Sequence, residues 1–184
     1  MYMIAQEILM KRPLTSIVLA FAISAPAAFS QTEPRFGIGA AVTGHLPVGD
    51  LAEFTGFGFG GLGGLELGAY PGLAVTARSG YLHFPEHDDN TLSYVPLMGG
   101  LKASGVEGAV YMAFEVGAVF TKVRYDGIPL GGRDVDETNL GWNIGIGSMA
   151  GALDLRLSFN VWDAAHLSES MTIGLSVGLT AFSW

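Results

Sequence analysis

The sequence predicts an all-β fold, an eight-stranded antiparallel up-and-down transmembrane β-barrel, and three observations carry that prediction. Apolar residues alternate with small or polar ones in eight stretches between Arg35 and Trp184, the period of a strand with one greasy face. The connections between those stretches alternate long and short. The only long unbroken apolar run lies near the N-terminus, so helical membrane spans do not compete with the strand pattern.

The 184 residues suffice for one domain. Charged residues make up only 14%, there are 27 glycines and no cysteine, and the mean hydropathy is +0.40. Without cysteine there is no disulfide framework and no thiol chemistry. A net charge of −8 and a pI near 4.8 argue against a nucleic-acid partner, which would need clustered Lys and Arg.

The chain opens with a stretch that reads as a secretory signal peptide over residues 1–30. Lys11 and Arg12 precede an apolar run from Leu14 to Phe29, and Ala28-Phe29-Ser30 supplies small residues for cleavage after Ser30. Glu7 is out of place in a basic leader, which points to a start at Met10. A transmembrane anchor is the alternative. The mature domain is expected to span 31–184.

Strand one runs over 35–43, with Phe36, Ile38, Ala40 and Val42 on one face, and His45 to Glu53 follows as a loop. Strand two, 57–68, sets Phe57, Phe59, Leu65 and Leu67 against Gly58, Gly60, Gly64 and Glu66. Tyr70-Pro71-Gly72 is a tight turn, because Pro presets φ and Gly tolerates positive φ. Strand three, 73–84, opposes Leu73, Val75, Ala77 and Tyr81 to Thr76, Arg78 and Gly80, and 85–91 form a polar loop. Strand four, 94–103, opposes Val95, Leu97 and Leu101 to Met98, Gly100 and Lys102; Pro96 removes one ladder donor.

After a short turn at 104–108, strand five, 109–124, places Val110, Met112, Phe114, Val116, Ala118 and Phe120 opposite Tyr111, Ala113, Glu115, Gly117 and Thr121. The longest loop is 126–138. Strand six, 140–149, alternates Leu140, Trp142, Ile144 and Ile146 with Gly141, Asn143, Gly145 and Gly147, and Ala150-Gly151 turns the chain. Strand seven, 152–162, alternates without error between Leu153, Leu155, Leu157, Phe159, Val161 and Asp154, Arg156, Ser158, Asn160. A loop over 163–170 leads to strand eight, 171–184. Short turns at one rim and longer loops at the other match a transmembrane barrel.

The polar phase decides which face is outside. A soluble, lipocalin-like barrel would need charged residues on its outer face, whereas here the less apolar phase is mostly Gly, Ala, Ser and Thr. Small residues suit the crowded interior of eight strands, so the apolar face is expected to meet lipid. Six ions then fall inside: Glu66, Arg78, Lys102, Glu115, Asp154 and Arg156, three of each sign. Shielded ions are costly unless paired, and an interlocked network filling the lumen is expected, with individually hydrated side chains as the alternative. Tyr81, Phe84, Tyr94, Phe120, Trp142, Trp162 and Trp184 cluster towards strand ends and read as membrane-interface aromatics, while Tyr111 reads as lumen filling.

A leader, eight amphipathic strands, a Gly-rich inner phase, Phe57-Gly-Phe-Gly-Gly, Tyr94-Val-Pro-Leu and a terminal aromatic resemble the small outer-membrane β-barrel family of the OmpA transmembrane-domain and OmpX type. The resemblance covers 35–184. It implies insertion in outer-membrane lipid, with the barrel-assembly machinery reading the last strand as a partner, and no cofactor. With the chain ending at Trp184, an OmpA-type periplasmic domain is not expected. Phe182 and Trp184 depart from the family pattern, being out of phase with Leu175, Val177 and Leu179, and a bulge near Ala181 would restore the phase.

Chemistry-bearing motifs are sparse. His166-Leu-Ser168-Glu169 is similar to the His-x-Ser pair of barrel lipid A deacylases, and an oriented His is what a Ser nucleophile needs. Glu86, His87, Asp88 and Asp89 carry divalent-cation ligand types, with a solvated acidic loop as the bland reading. Acids in all four long loops raise the expectation of cation bridging to anionic lipid. The leading expectation is a non-enzymatic barrel with a structural, envelope-integrity or surface-interaction role. A narrow porin-like channel, a lipid A-modifying hydrolase and a lipocalin-like binder are the alternatives.

Overall fold

The computed structural model describes residues 36–87, 90–105, 109–125 and 133–183. Eight strands are β1 (Phe36–Val48), β2 (Gly58–Tyr70), β3 (Leu73–His87), β4 (Asn90–Ser104), β5 (Val110–Tyr125), β6 (Arg133–Ala150), β7 (Leu153–Val161) and β8 (Met171–Ser183), with one helical turn, α1 (Leu51–Phe54), between β1 and β2. Each strand pairs antiparallel with its neighbours in sequence, and β1 pairs with β8, so the sheet closes. The expected leader lies outside the described residues.

Apolar side chains face out. Val42 is 70% exposed and Leu179 64%, whereas Glu115 has no exposure and Arg156 only 5%. This inverts the order of a soluble barrel and excludes the lipocalin-like arrangement, since its apolar face would line the interior. The β2–β3 and β6–β7 turns are tight, with Gly72 at φ 75° and Gly151 at φ 62°, the left-handed backbone that short hairpins favour.

Several residues expected in loops are laddered. Leu46, Pro47 and Val48 pair with Ile173, Thr172 and Met171. The β5–β6 ladder continues from Phe120↔Thr138 to Tyr125↔Arg133, and β3 and β4 still pair at His87↔Asn90. Apolar alternation ends where the membrane ends, but backbone N–H and C=O groups gain by pairing further. Strand length therefore exceeds the apolar pattern at the long-loop rim.

The bulge expected near Ala181 does not form. The β1–β8 register runs unbroken from Val48↔Met171 through Ile38↔Ala181 to Phe36↔Ser183, so Phe182 keeps the register position opposite Gly37. Trp184 lies outside the described residues. At Pro96, which has no N–H, the β3–β4 register skips from Ser79↔Leu97 to Leu82↔Tyr94, while pairing on the other side persists at Pro96↔Val119.

Candidate functional site: the filled lumen and its outer mouth

The lumen is filled in two storeys. In the half nearer the short turns and across the middle, polar groups meet. Glu115 on β5 accepts from Arg156 Nη1 at 3.3 Å and Nη2 at 3.0 Å, from Asn143 Nδ2 at 3.0 Å, from Thr76 Oγ1 at 3.0 Å and from Arg78 Nη1 at 3.5 Å. Five donor atoms from three strands thus converge on one buried carboxylate, and Arg156 also donates to Asn143 Oδ1. Two guanidinium groups and two neutral donors supply the partners that an ion out of bulk water requires.

The other expected lumen ions form a second group. Lys102 Nζ donates to Glu66 Oε2 at 2.7 Å and lies 4.3 Å from the centre of the Tyr111 ring. The Tyr111 hydroxyl donates to Asp154 at 2.6 Å. The six ions, together with Tyr111, therefore make a Glu115–Arg156–Arg78 cluster and a Glu66–Lys102–Tyr111–Asp154 chain, and the hydrogen bond given to Asp154 comes from a phenol rather than a cation. A cavity of about 70 Å³ lies among these side chains.

Above them an apolar cluster shares the lumen with hydrogen bonds among His45, Thr43, Asn160 and Thr172. Leu82, Phe84, Leu92, Tyr94, Met98, Val119 and Trp162 pack together inside the barrel, joined by Leu51 of α1 from above. Tyr94 stacks on Trp162 with centroids 5.4 Å apart and planes 24° apart, and Phe84 meets Tyr94 edge-on at 5.6 Å. This corrects the expectation for Phe84, Tyr94 and Trp162 at the membrane interface: they are 0%, 4% and 3% exposed. Their positions share the inward phase of Arg78, Lys102 and Arg156. Tyr81 and Phe120, by contrast, are exposed on the outer face, and Trp142 packs there between Phe114 and Phe159.

Inner glycines make room for these fillers. A Cβ at Gly58 would strike the Phe84 ring, one at Gly145 the Arg156 guanidinium, one at Gly147 the Tyr111 ring and one at Gly174 the His45 ring. His45 itself bridges Thr43 at 3.0 Å and Thr172 at 3.2 Å. On the outer face, Gly61, Gly63 and Gly99 have no atom nearer than 3.8 Å to such a Cβ. Large lumen side chains and facing glycines are thus paired choices.

At the long-loop rim, β7–β8 folds over the mouth. Asp50 N donates to Ser168 O at 2.9 Å, tying this loop to the start of α1. His166 Nδ1 and Asp163 Oδ2 lie 2.9 Å apart, and Asp163 Oδ1 accepts from Ala165 N at 2.8 Å. Partial burial works to raise the Asp163 carboxyl, but the His166 ring and the Ala165 N–H outweigh it and hold it below the usual carboxylate range. The same contact raises His166. Among the described residues the His166 ring bonds to Asp163 through Nδ1 and no hydrogen bond joins it to the Ser168 hydroxyl, while Glu169 lines the same cavity as His166.

Of the candidate cation ligands, Asp88 and Asp89 lie outside the described residues, and of Glu86 and His87 only the backbone in β3 is described. Among the described residues, no three His, Asp or Glu side chains gather closely enough to hold a metal ion.

No protein-family model matches the sequence and no curated protein sequence matches it. Three similar solved structures are small barrels. Ail, the attachment invasion locus protein of Yersinia pestis, solved with the heparin analogue sucrose octasulfate, gives a TM-score of 0.58 at 14% identity, over 82% of this chain and 99% of that one. The N-terminal β-barrel domain of Pseudomonas aeruginosa OprF gives 0.55 at 11% identity, over 80% and 97%. Neisserial surface protein A gives 0.52 at 14% identity, over 80% and 96%. Together with the closed antiparallel sheet and its apolar exterior, these likenesses establish that the chain has the fold of the small eight-stranded outer-membrane β-barrels.

Proposed function

We propose that this protein is a non-enzymatic outer-membrane barrel that contributes to envelope integrity or presents its long-loop rim for surface contact. It is exported by a cleaved leader and assembled through its last strand. The observation that carries this reading is the double closure of the lumen. The Glu115 cluster blocks the middle, and the Phe84–Tyr94–Trp162 stack with Leu51 blocks the outer half. An apolar exterior supplies the lipid contact, and among the described residues the His166 ring is bonded to Asp163 and not to the Ser168 hydroxyl.

Two measurements test the reading. In the outer-membrane fraction, the unheated protein should run faster in SDS gels than the heated protein, as a closed, SDS-resistant barrel does. Reconstituted in planar bilayers, it should show no sustained conductance, and liposomes carrying it should not swell in small sugars. Steady conductance from the unmodified protein would replace the structural reading with a narrow channel.

A further inference from the structure

The long-loop rim holds a cup of about 490 Å³ that the lumen ions do not reach. Its floor and inner wall are apolar, from Leu51 and Phe54 of α1, Leu92 and Tyr94 of β4 and Val123 of β5. Four carboxylates stand on its wall from three separate segments: Asp50 before α1, Glu137 on β6, and Asp163 and Glu169 in the β7–β8 loop. Among the described residues that line the cup there is no lysine or arginine, and His166 is bonded to Asp163. Glu137 and Glu169 line the same cavity as His166.

The volume falls in the range of roughly 300–1,000 Å³ usual for small-molecule sites. The acids are spread around the wall, without the close grouping that a metal ion demands. Spread charge over an apolar floor matches a ligand with several separated cationic groups and a hydrocarbon stem. We propose that the cup binds small aliphatic polyamines, with ammonium groups at Glu137, Glu169 and Asp50 and the methylene chain over Leu92 and Tyr94. This rests on the long-loop rim being the outward end of the barrel, and it goes beyond a general surface role by naming the ligand class.

The test uses the full mature protein in nanodiscs of zwitterionic lipid, titrated with spermidine and separately with Mg²⁺, and read by amide chemical shifts. Spermidine should saturate with shifts confined to the cup. The Glu137→Gln/Glu169→Gln double variant should bind roughly tenfold more weakly, while Glu53→Gln, on α1 but outside the lining, should bind as the parent does. Non-saturating spermidine shifts, equal weakening by Glu53→Gln, or Mg²⁺ binding as tightly as spermidine would overturn the proposal in favour of a diffuse acidic surface. Heat-dependent gel mobility confirms that each variant is folded. Conductance reports on lumen closure alone, so the cup and the closed-barrel reading can fail separately.

Discussion

Arg156 reaches across the lumen to grip Glu115 with both terminal nitrogens, at 3.3 and 3.0 Å, and Glu115 has no exposure to solvent. Removing Arg156 leaves the buried carboxylate only the longer contact to Arg78 as a cationic partner, and breaking a buried pair in this way costs up to about 3–5 kcal/mol. Arg156→Met should therefore destabilise the barrel by about that amount in urea unfolding from lipid vesicles. Arg156→Met/Glu115→Gln should recover part of the loss, because the stranded carboxylate is gone. A double variant no more stable than the single one would show that packing, not charge pairing, sets the value of this contact.

The space for that guanidinium comes from Gly145, just as Gly147 makes room for Tyr111. Gly145→Ala and Gly147→Ala should each cost about 1–3 kcal/mol through overpacking of a filled interior. Gly63→Ala, on the outer face with its nearest neighbour 3.9 Å away, should be close to neutral. Equal costs at the three sites would mean that the glycines serve the backbone and not their lumen partners.

Much of this could be read from residue parity. The alternation that put Leu153, Leu155 and Leu157 outside put Arg156 inside, and the six lumen ions followed from it. Parity also assigned Phe84 with Arg78, Tyr94 with Lys102 and Trp162 with Arg156. Their places near strand ends suggested an interface instead, and position along the strand was the weaker signal. The pairings themselves were not legible, because contacts across a lumen depend on strand stagger and side-chain reach. Nor was the cup, since Asp50 and Glu169 in loops and Glu137 on β6 share one cavity only once the sheet has closed. Strand ends at Val48 and Arg133 were missed because laddering outlasts apolar alternation.

The two described tryptophans, Trp142 on β6 and Trp162 just after β7, separate interior from interface in one experiment. Trp142 packs among Phe114 and Phe159 on the outer face, whereas Trp162 stacks on Tyr94 inside and donates from Nε1 to Thr172 Oγ1 at 3.1 Å. In variants that keep one tryptophan each, brominated lipid chains should quench Trp142 strongly and Trp162 weakly, since quenching needs approach of the lipid. Comparable quenching of both would return Trp162 to the membrane interface.

The clasp between Asp163 and His166 should be sensitive to pH, with a sign fixed by the two shifts. The hydrogen bond to Asp163 raises His166 above its ordinary 6.5, so its stabilisation of the loop is full below 6.5 and fades as pH climbs through the raised value. Burial works to raise Asp163, but the bonds from His166 and Ala165 win and hold it below its ordinary 3.8. Its contribution is therefore full above 3.8 and fades as pH falls through the lowered value. The loop should be best ordered between those ordinary values, loosening on either side. Amide exchange at Ala165, whose N–H the Asp163 carboxylate holds at 2.8 Å, should be slowest in that window after correction for intrinsic rates. In His166→Ala the loss above 6.5 should vanish while the acid limb stays. A His166 ring that titrates at or below 6.5 would show that the clasp does not hold in solution.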